Sequence, residues 1–225
     1  MADEIELKLA LPPAAVRRLR RHPLFIAAAP LGPPRLLDNR YLDTPARELA
    51  AAGIALRTRR DGRRRLRTVK IAARSVKGLS RRPEWEVPCP ADPEPASLDF
   101  SDVGAASVRR RLARHAAALR EVFATRFRRE TRRLRVGDGV SILLMLDRGE
   151  IRAGRRRESL CELELELERG RASDLRRLAA TLCAELPLRP EDRSKAERGH
   201  ALAARPVRRA GTPSRPRSRP RAARR

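Results

Sequence analysis

Glu4-Ile5-Glu6-Leu7-Lys8-Leu9 sets charged and apolar residues in strict alternation near the start of a 225-residue chain. At a strand's period of two, Glu4, Glu6 and Lys8 share one face while Ile5, Leu7 and Leu9 share the other. A second stretch, Glu162-Leu163-Glu164-Leu165-Glu166-Leu167-Glu168, repeats the alternation with carboxylates alone. Placed side by side, two such acidic faces repel unless cations lie between them. The pattern poses a choice between a metal and anion site built from both strands and two polar faces that merely meet water.

Cations are plentiful. The chain has 53 basic and 28 acidic residues, a net charge of +25, and eight arginines with no acid after Arg205. That surplus favours anionic partners: a phosphorylated small molecule, polyphosphate, nucleic acid or an acidic surface. A general preference for arginine codons gives the same surplus without any partner. Aromatic residues make up only 3%, which argues against a nucleic-acid surface built on stacked rings. Against 49 arginines the four lysines, Lys8, Lys70, Lys77 and Lys195, stand out as places where a compact point charge has a use. Cys89, Cys161 and Cys183 are too few and too scattered for a disulfide framework or zinc site and fit a reducing compartment. With no apolar run long enough to span a bilayer and a charged N-terminus, the expectation is a cytoplasmic protein with no membrane partner.

Periodicity orders the elements. Helical spacing predicts a helix over 14–24, limited by Pro23, then a strand over 35–42 and a short helix over 44–52. Asp61-Gly62 marks a hairpin between strands at 54–60 and 64–72. Arg82, Glu84 and Glu86 alternate around Pro83 and Trp85, which suggests an edge strand or strand start. A loop over 89–101 precedes a helix over 103–119 and strands over 122–134 and 140–147, with Gly149 read as punctuation. The glutamate strand ends at Gly170, 173–186 is an amphipathic helix, and 189–199 reads as polar and turn-like. Residues 205–225 have almost nothing to bury and are expected to form a disordered basic tail behind a single domain over 1–204.

The alternating charges at Arg57/Arg59, Thr68/Lys70, Arg82/Glu84/Glu86 and Arg126/Arg128 suit an open sheet with one wet face. They equally suit a closed sheet whose charged interior is paired, hydrated or occupied by a ligand. No phosphate-binding GxxxxGK[ST] loop or dinucleotide fingerprint is present. His22, His115 and His200 lie at no ligand or triad spacing, so attack by a metal-oriented water is favoured over covalent serine or cysteine chemistry.

The residues resemble the CYTH superfamily, the triphosphate tunnel metalloenzymes, most closely its bacterial inorganic triphosphatase branch. The resemblance rests on Glu4-Ile5-Glu6-Leu7-Lys8, Tyr41-Leu42-Asp43-Thr44-Pro45, Gly53 to Arg59, Thr68-Val69-Lys70, Arg82 to Glu86, Thr125 to Arg128, Asp147-Arg148-Gly149, Cys161 to Glu166 and Ser194 to Gly199. It implies an α+β fold, a closed antiparallel β-barrel forming a charged tunnel with helices packed outside. The implied activity is hydrolysis of inorganic triphosphate to pyrophosphate and phosphate with Mg or Mn. Glu4, Glu6 and Lys8 would be catalytic; Glu4, Glu6, Glu162 and Glu164 would hold metal. Lys8, Arg57, Arg59, Lys70, Arg126, Arg128 and Lys195 would hold phosphate oxygens, supported by Arg82, Glu84, Glu86, Asp147 and Glu166. Asp43 and Thr44 would shape the strand-to-helix turn. Leu143 departs from the pattern, standing where many relatives carry a glutamate. Alternatives are a thiamine triphosphatase, a nucleotide-triphosphate enzyme including an adenylate cyclase, and a non-enzymatic binder of polyphosphate or nucleic acid. The tail is a further candidate contact for those polyanions.

Overall fold

The alternation in the first strand is preserved around a complete ring of strands. A computed structural model describes residues 3–205 except Asp92 and Asp138; the tail expected beyond Arg205 lies outside the described residues. In chain order the strands are β1 (Asp3–Ala10), β2 (Ala29–Pro30), β3 (Arg35–Asp43), β4 (Ile54–Asp61), β5 (Arg64–Ile71), β6 (Leu79–Pro88), β7 (Arg120–Val136), β8 (Val140–Ala153), β9 (Arg156–Arg169) and β10 (Arg189–Pro190). Their order is β1-β6-β5-β4-β3-β7-β8-β9, and β9 pairs back onto β1, closing an eight-stranded antiparallel barrel. The two-residue β2 and β10 pair with β7 and β1.

Register fixes which side chains turn inward. Opposed residues share a face, and the pairs Glu4↔Arg82, Lys70↔Glu84, Arg57↔Thr68, Tyr41↔Arg57, Phe127↔Leu37, Arg129↔Asp147, Met145↔Glu164 and Lys8↔Glu164 run once around the inside. Apolar positions between them turn outward to the helices. Leu7, Leu9, Leu144, Leu163 and Leu165 pack with α1 (Val16–Arg21), α2 (Pro23–Ala27) and α5 (Ala172–Glu185). Leu56, Val69 and Trp85 pack with Leu49 of α3 (Glu48–Ala51) and with α4 (Ala106–His115). Each fully buried leucine contributes about 1.5–3 kcal/mol, so a charge at Leu9 or Leu163 would undo the wall. The main cores thus lie outside the barrel.

Several elements differ from their sequence reading. The helix expected over 14–24 breaks at His22, because Pro23 lacks the N–H and His22 instead accepts from Leu24 through Nδ1. The helix expected over 44–52 is reduced to α3, and Asp43 accepts from the N–H groups of Thr44, Leu49 and Ala50 as the chain enters it. No turn forms at Gly149; β8 continues to Ala153. The supposed turn region at 189–199 carries α6 (Lys195–Ala204), opened by a capping box in which Ser194 and Glu197 satisfy each other's backbone N–H. Gly199 lets α6 settle on the inner face of β7, since a Cβ there would stand 2.0 Å from the Phe123 ring.

Candidate functional site: a charged tunnel

Inside the barrel lies a cavity of about 300 Å³ whose lining includes Glu4, Glu6 and Lys8 from β1, Arg57 and Arg59 from β4, Lys70 from β5, Arg82, Glu84 and Glu86 from β6, and Glu164 and Glu166 from β9. The alternation that put these residues on common strand faces also aims them at one space.

Around β1, Arg82 joins the two leading acids, its Nε 3.0 Å from Glu4 and its Nη2 2.6 Å from Glu6. Lys70 donates to both Glu4 oxygens at 2.9 and 2.8 Å and lies 3.0 Å from Glu84. Burial alone would raise the Glu4 carboxyl, but Lys70 and Arg82 outweigh it and bring it down to about 2. Lys8 has far less company. Its side chain is 2% exposed, its ammonium makes no hydrogen bond among the described residues, and its carboxylate neighbour, Glu6, stands 3.8 Å away. The strand is held in place from behind: Lys8 donates its N–H to the Gly78 carbonyl, and Asp192 accepts from Gly78 and Ser75. Gly78 has φ +82°, and a Cβ there would lie 2.4 Å from the Lys8 carbonyl oxygen, so this close approach requires glycine.

Arg57 and Arg59 are also loosely paired. Arg57 is 3.9 Å from Glu84 and 3.8 Å from Glu86, and its buried Nε has no hydrogen-bond partner among the described residues. Arg59 donates to Asn39 at 2.9 Å and is 3.7 Å from Glu86, which takes a 2.8 Å bond from Thr68. Burial, then repulsion from Arg57 and Arg129, brings Arg59 down to about 10, still a cation at neutral pH.

The opposite wall is tightly paired. Arg129 forks onto Asp147 at 2.7 and 2.6 Å and also reaches Glu164. Lys195, from α6, contacts Glu162 and lies 2.8 Å from both Asp147 and Glu164, while Arg198 donates to Glu162 at 3.0 Å and Glu158 at 2.8 Å. Burial would lower Lys195, but Asp147, Glu162 and Glu164 outweigh it and hold it above its ordinary value. Glu164, despite its burial, is held well below its ordinary range by Lys195 and Arg129. Glu166 differs from both: it has no hydrogen bond or ion pair among the described residues, and burial, then Glu4, pushes it up to about 7. Leu143 is the residue directly opposite it on β8, so the departure noted in the sequence puts an apolar neighbour beside this carboxylate.

The tunnel brings together Glu4, Glu6, Lys8, Arg57, Arg59, Lys70, Arg82, Glu84, Glu86, Glu164, Glu166 and Lys195. Glu162 and Asp147 are buried behind them in the Lys195 network. Arg126 and Arg128 are corrected: both are exposed and stand on the outer face, opposite Glu150 and Arg148, because inward parity on β7 belongs to Thr125, Phe127 and Arg129. Sequence reasoning missed Arg129, Arg198 and Tyr41, whose hydroxyl takes a 3.5 Å bond from Arg57. For Arg198 the signal was the Ser194 to Glu197 capping box; for Arg129 it was its shared parity with Phe127.

Carboxylates here suit a hard divalent cation. Asp147, Glu162 and Glu164 offer oxygens within 4.8 Å of one another, and Glu4 and Glu6 lie on the adjacent strand. The donor set fits such a cation, and each of these acids already has a basic partner that the metal would displace.

Fold and site define a closed barrel whose interior joins paired acids to under-partnered cations. The chain belongs to the CYTH domain family, whose model matches residues 2–200. It is 30% identical over 204 residues to the inorganic triphosphatase of Haemophilus influenzae, covering 90% of this chain and 55% of that protein, so it spans about half the length of that curated relative. Two solved structures share the fold. A Hippeastrum candidate adenylyl cyclase with a dominant triphosphatase activity matches at a TM-score of 0.63, 22% identity, 88% of this chain and 95% of that one. A candidate adenylate cyclase from Bacillus halodurans matches at 0.58, 18% identity, 88% and 97%. No helix among the described residues is long and apolar enough to cross a membrane.

Proposed function

We propose that this protein hydrolyses inorganic triphosphate to pyrophosphate and phosphate in a cytoplasmic setting, with residues 1–204 forming the catalytic domain. The observation that carries this reading is the set of loosely paired cations Lys8, Arg57 and Arg59 in the same cavity as Glu4 and Glu6. Three such groups in a low-dielectric space call for a multiply charged anion, and arginine forks match phosphoryl oxygens. The curated relative's name points the same way.

Lys8, Arg57, Arg59 and Lys70 bind the phosphate oxygens, and Arg82, bonded to both Glu4 and Glu6, fixes their orientation. Mg or Mn held by Glu4, Glu6, Glu162 and Glu164 would supply charge compensation and a more acidic water. Water attacks the terminal phosphorus, the bond to the bridging oxygen breaks, and pyrophosphate leaves; Glu166, a cavity carboxylate with no hydrogen bond or ion pair among the described residues, orients that water. Fixed cations act on charge developing in flight, where preorganisation matters most. Lys195 and Asp147 hold the far wall in shape.

A second reading, an organic triphosphate such as thiamine triphosphate or a nucleotide, is favoured by Ile54, Ala55, Ile71 and Ala72, which line the same cavity with apolar surface. Phosphate release from tripolyphosphate, thiamine triphosphate and ATP, each with Mg, Mn or chelator, separates the readings. Metal-dependent preference for tripolyphosphate supports the first; turnover of none of them refutes both. The basic tail adds polyanion affinity on this account, and deleting residues 206–225 should remove that increment while sparing hydrolysis.

A further inference from the structure

Among the described residues, one strip of barrel wall between the two outer cores has no helix over it. It comprises the outward faces of β3 up to Arg40, of β7 up to Arg128 and of the second half of β8, where Leu36, Arg40, Arg126, Arg128 and Arg148 are all exposed. The strip is basic and unevenly neutralised. Arg60 pairs with Asp38 at 3.6 Å and Arg40 with Glu121 at 3.7 Å, while Glu150 is shared by Arg152 and Arg157. Arg126, Arg128 and Arg148 have no hydrogen bond or ion pair among the described residues, and Arg128 stands directly opposite Arg148. Like charges opposed across a ladder destabilise it, so this arrangement gains from an external anion.

We propose that this uncovered strip docks an inorganic polyphosphate chain through Arg126, Arg128 and Arg148. Arg126 and Arg128 lie about 6–7 Å apart along one strand, and Arg148 stands beside Arg128 at about 5 Å. Three cations so close are best answered by a chain whose phosphates are separated by single bridging oxygens. Nucleic acid spaces its phosphates by a sugar and offers bases that want stacking partners, and this strip has no exposed ring: Tyr41, Phe123 and Phe127 are buried inside the barrel. The proposal concerns the outer wall alone and needs no turnover in the tunnel.

The test uses the full chain, tail included, in chelator. Long-chain polyphosphate affinity is measured across a salt series for wild type, for Arg126→Thr/Arg128→Thr/Arg148→Thr, and for a control of equal charge loss on α4, Arg110→Gln/Arg111→Gln/Arg114→Gln. The strip variant should bind at least tenfold more weakly, with a salt slope reduced by about 2, while the control stays within about twofold of wild type. Circular dichroism and retained melting temperature confirm that the variants fold. Equal losses in the two variants, no loss in the strip variant, or tighter binding of duplex or single-stranded DNA than of polyphosphate would each overturn the proposal.

Discussion

Lys8 and Lys195 are both buried ammonium groups inside the same barrel, yet they keep opposite company. Lys195 touches three carboxylates, Asp147, Glu162 and Glu164. Lys8 has Glu6 at 3.8 Å and no hydrogen bond among the described residues. The wall formed by β8, β9 and α6 neutralises itself, whereas the wall of β1 and β4 leaves Lys8, Arg57 and Arg59 short of anions. A buried charge costs free energy unless it is answered. The first wall is answered from within the fold; the second is suited to be answered by ligand. Lysines in similar burial are therefore expected to fail in different ways.

The largest effect should come from Lys195→Met. Removing the ammonium leaves Asp147, Glu162 and Glu164 with Arg129 and Arg198 as their remaining cations, so urea denaturation should show a loss of about 3–5 kcal/mol; a loss below about 1 kcal/mol would erase the distinction between the walls. Gly78→Ala comes next. A left-handed backbone costs an alanine about 1–2 kcal/mol, and the methyl group would press on the Lys8 carbonyl. Steady-state kinetics on tripolyphosphate should show kcat/KM about tenfold lower, in keeping with the sensitivity of catalysis to small misplacements.

The smallest effect concerns Glu166→Gln in metal-free protein. The folded-state carboxyl titrates near 7 against an ordinary 4.5, so the unfolded chain ionises first and native stability falls as pH rises from 4.5 to 7. Glutamine abolishes that penalty. The variant's melting temperature should therefore gain on wild type between pH 5 and pH 8 and level off above; a gain that shrinks with pH would contradict the assignment.

The inward face of β1, β4, β5, β6 and β9 was legible because charge and leucine or valine alternate there without ambiguity. On β7 the code failed. Arginines occupy 126, 128, 129, 132, 133 and 135, so charge appears at both parities and no longer marks a face. The aromatic residues carried the parity instead, since Phe123 and Phe127 turn inward with Arg129. The helix α6 was missed because Lys195, Glu197, Arg198 and His200 look solvated; Lys195 and Arg198 are in fact buried against the acids of β8 and β9, a partner no local pattern reveals. Closure of the sheet likewise depends on β1 meeting β9 across more than 150 residues, which the resemblance implied and the alternation alone left open.

Calorimetric titration of tripolyphosphate into metal-free wild type and Lys8→Met tests the unanswered wall most directly, with circular dichroism confirming that both are folded. The account predicts binding to wild type, weakened at least tenfold in Lys8→Met with little change in urea stability. Equal affinity in the two proteins, or no binding to either, would contradict it.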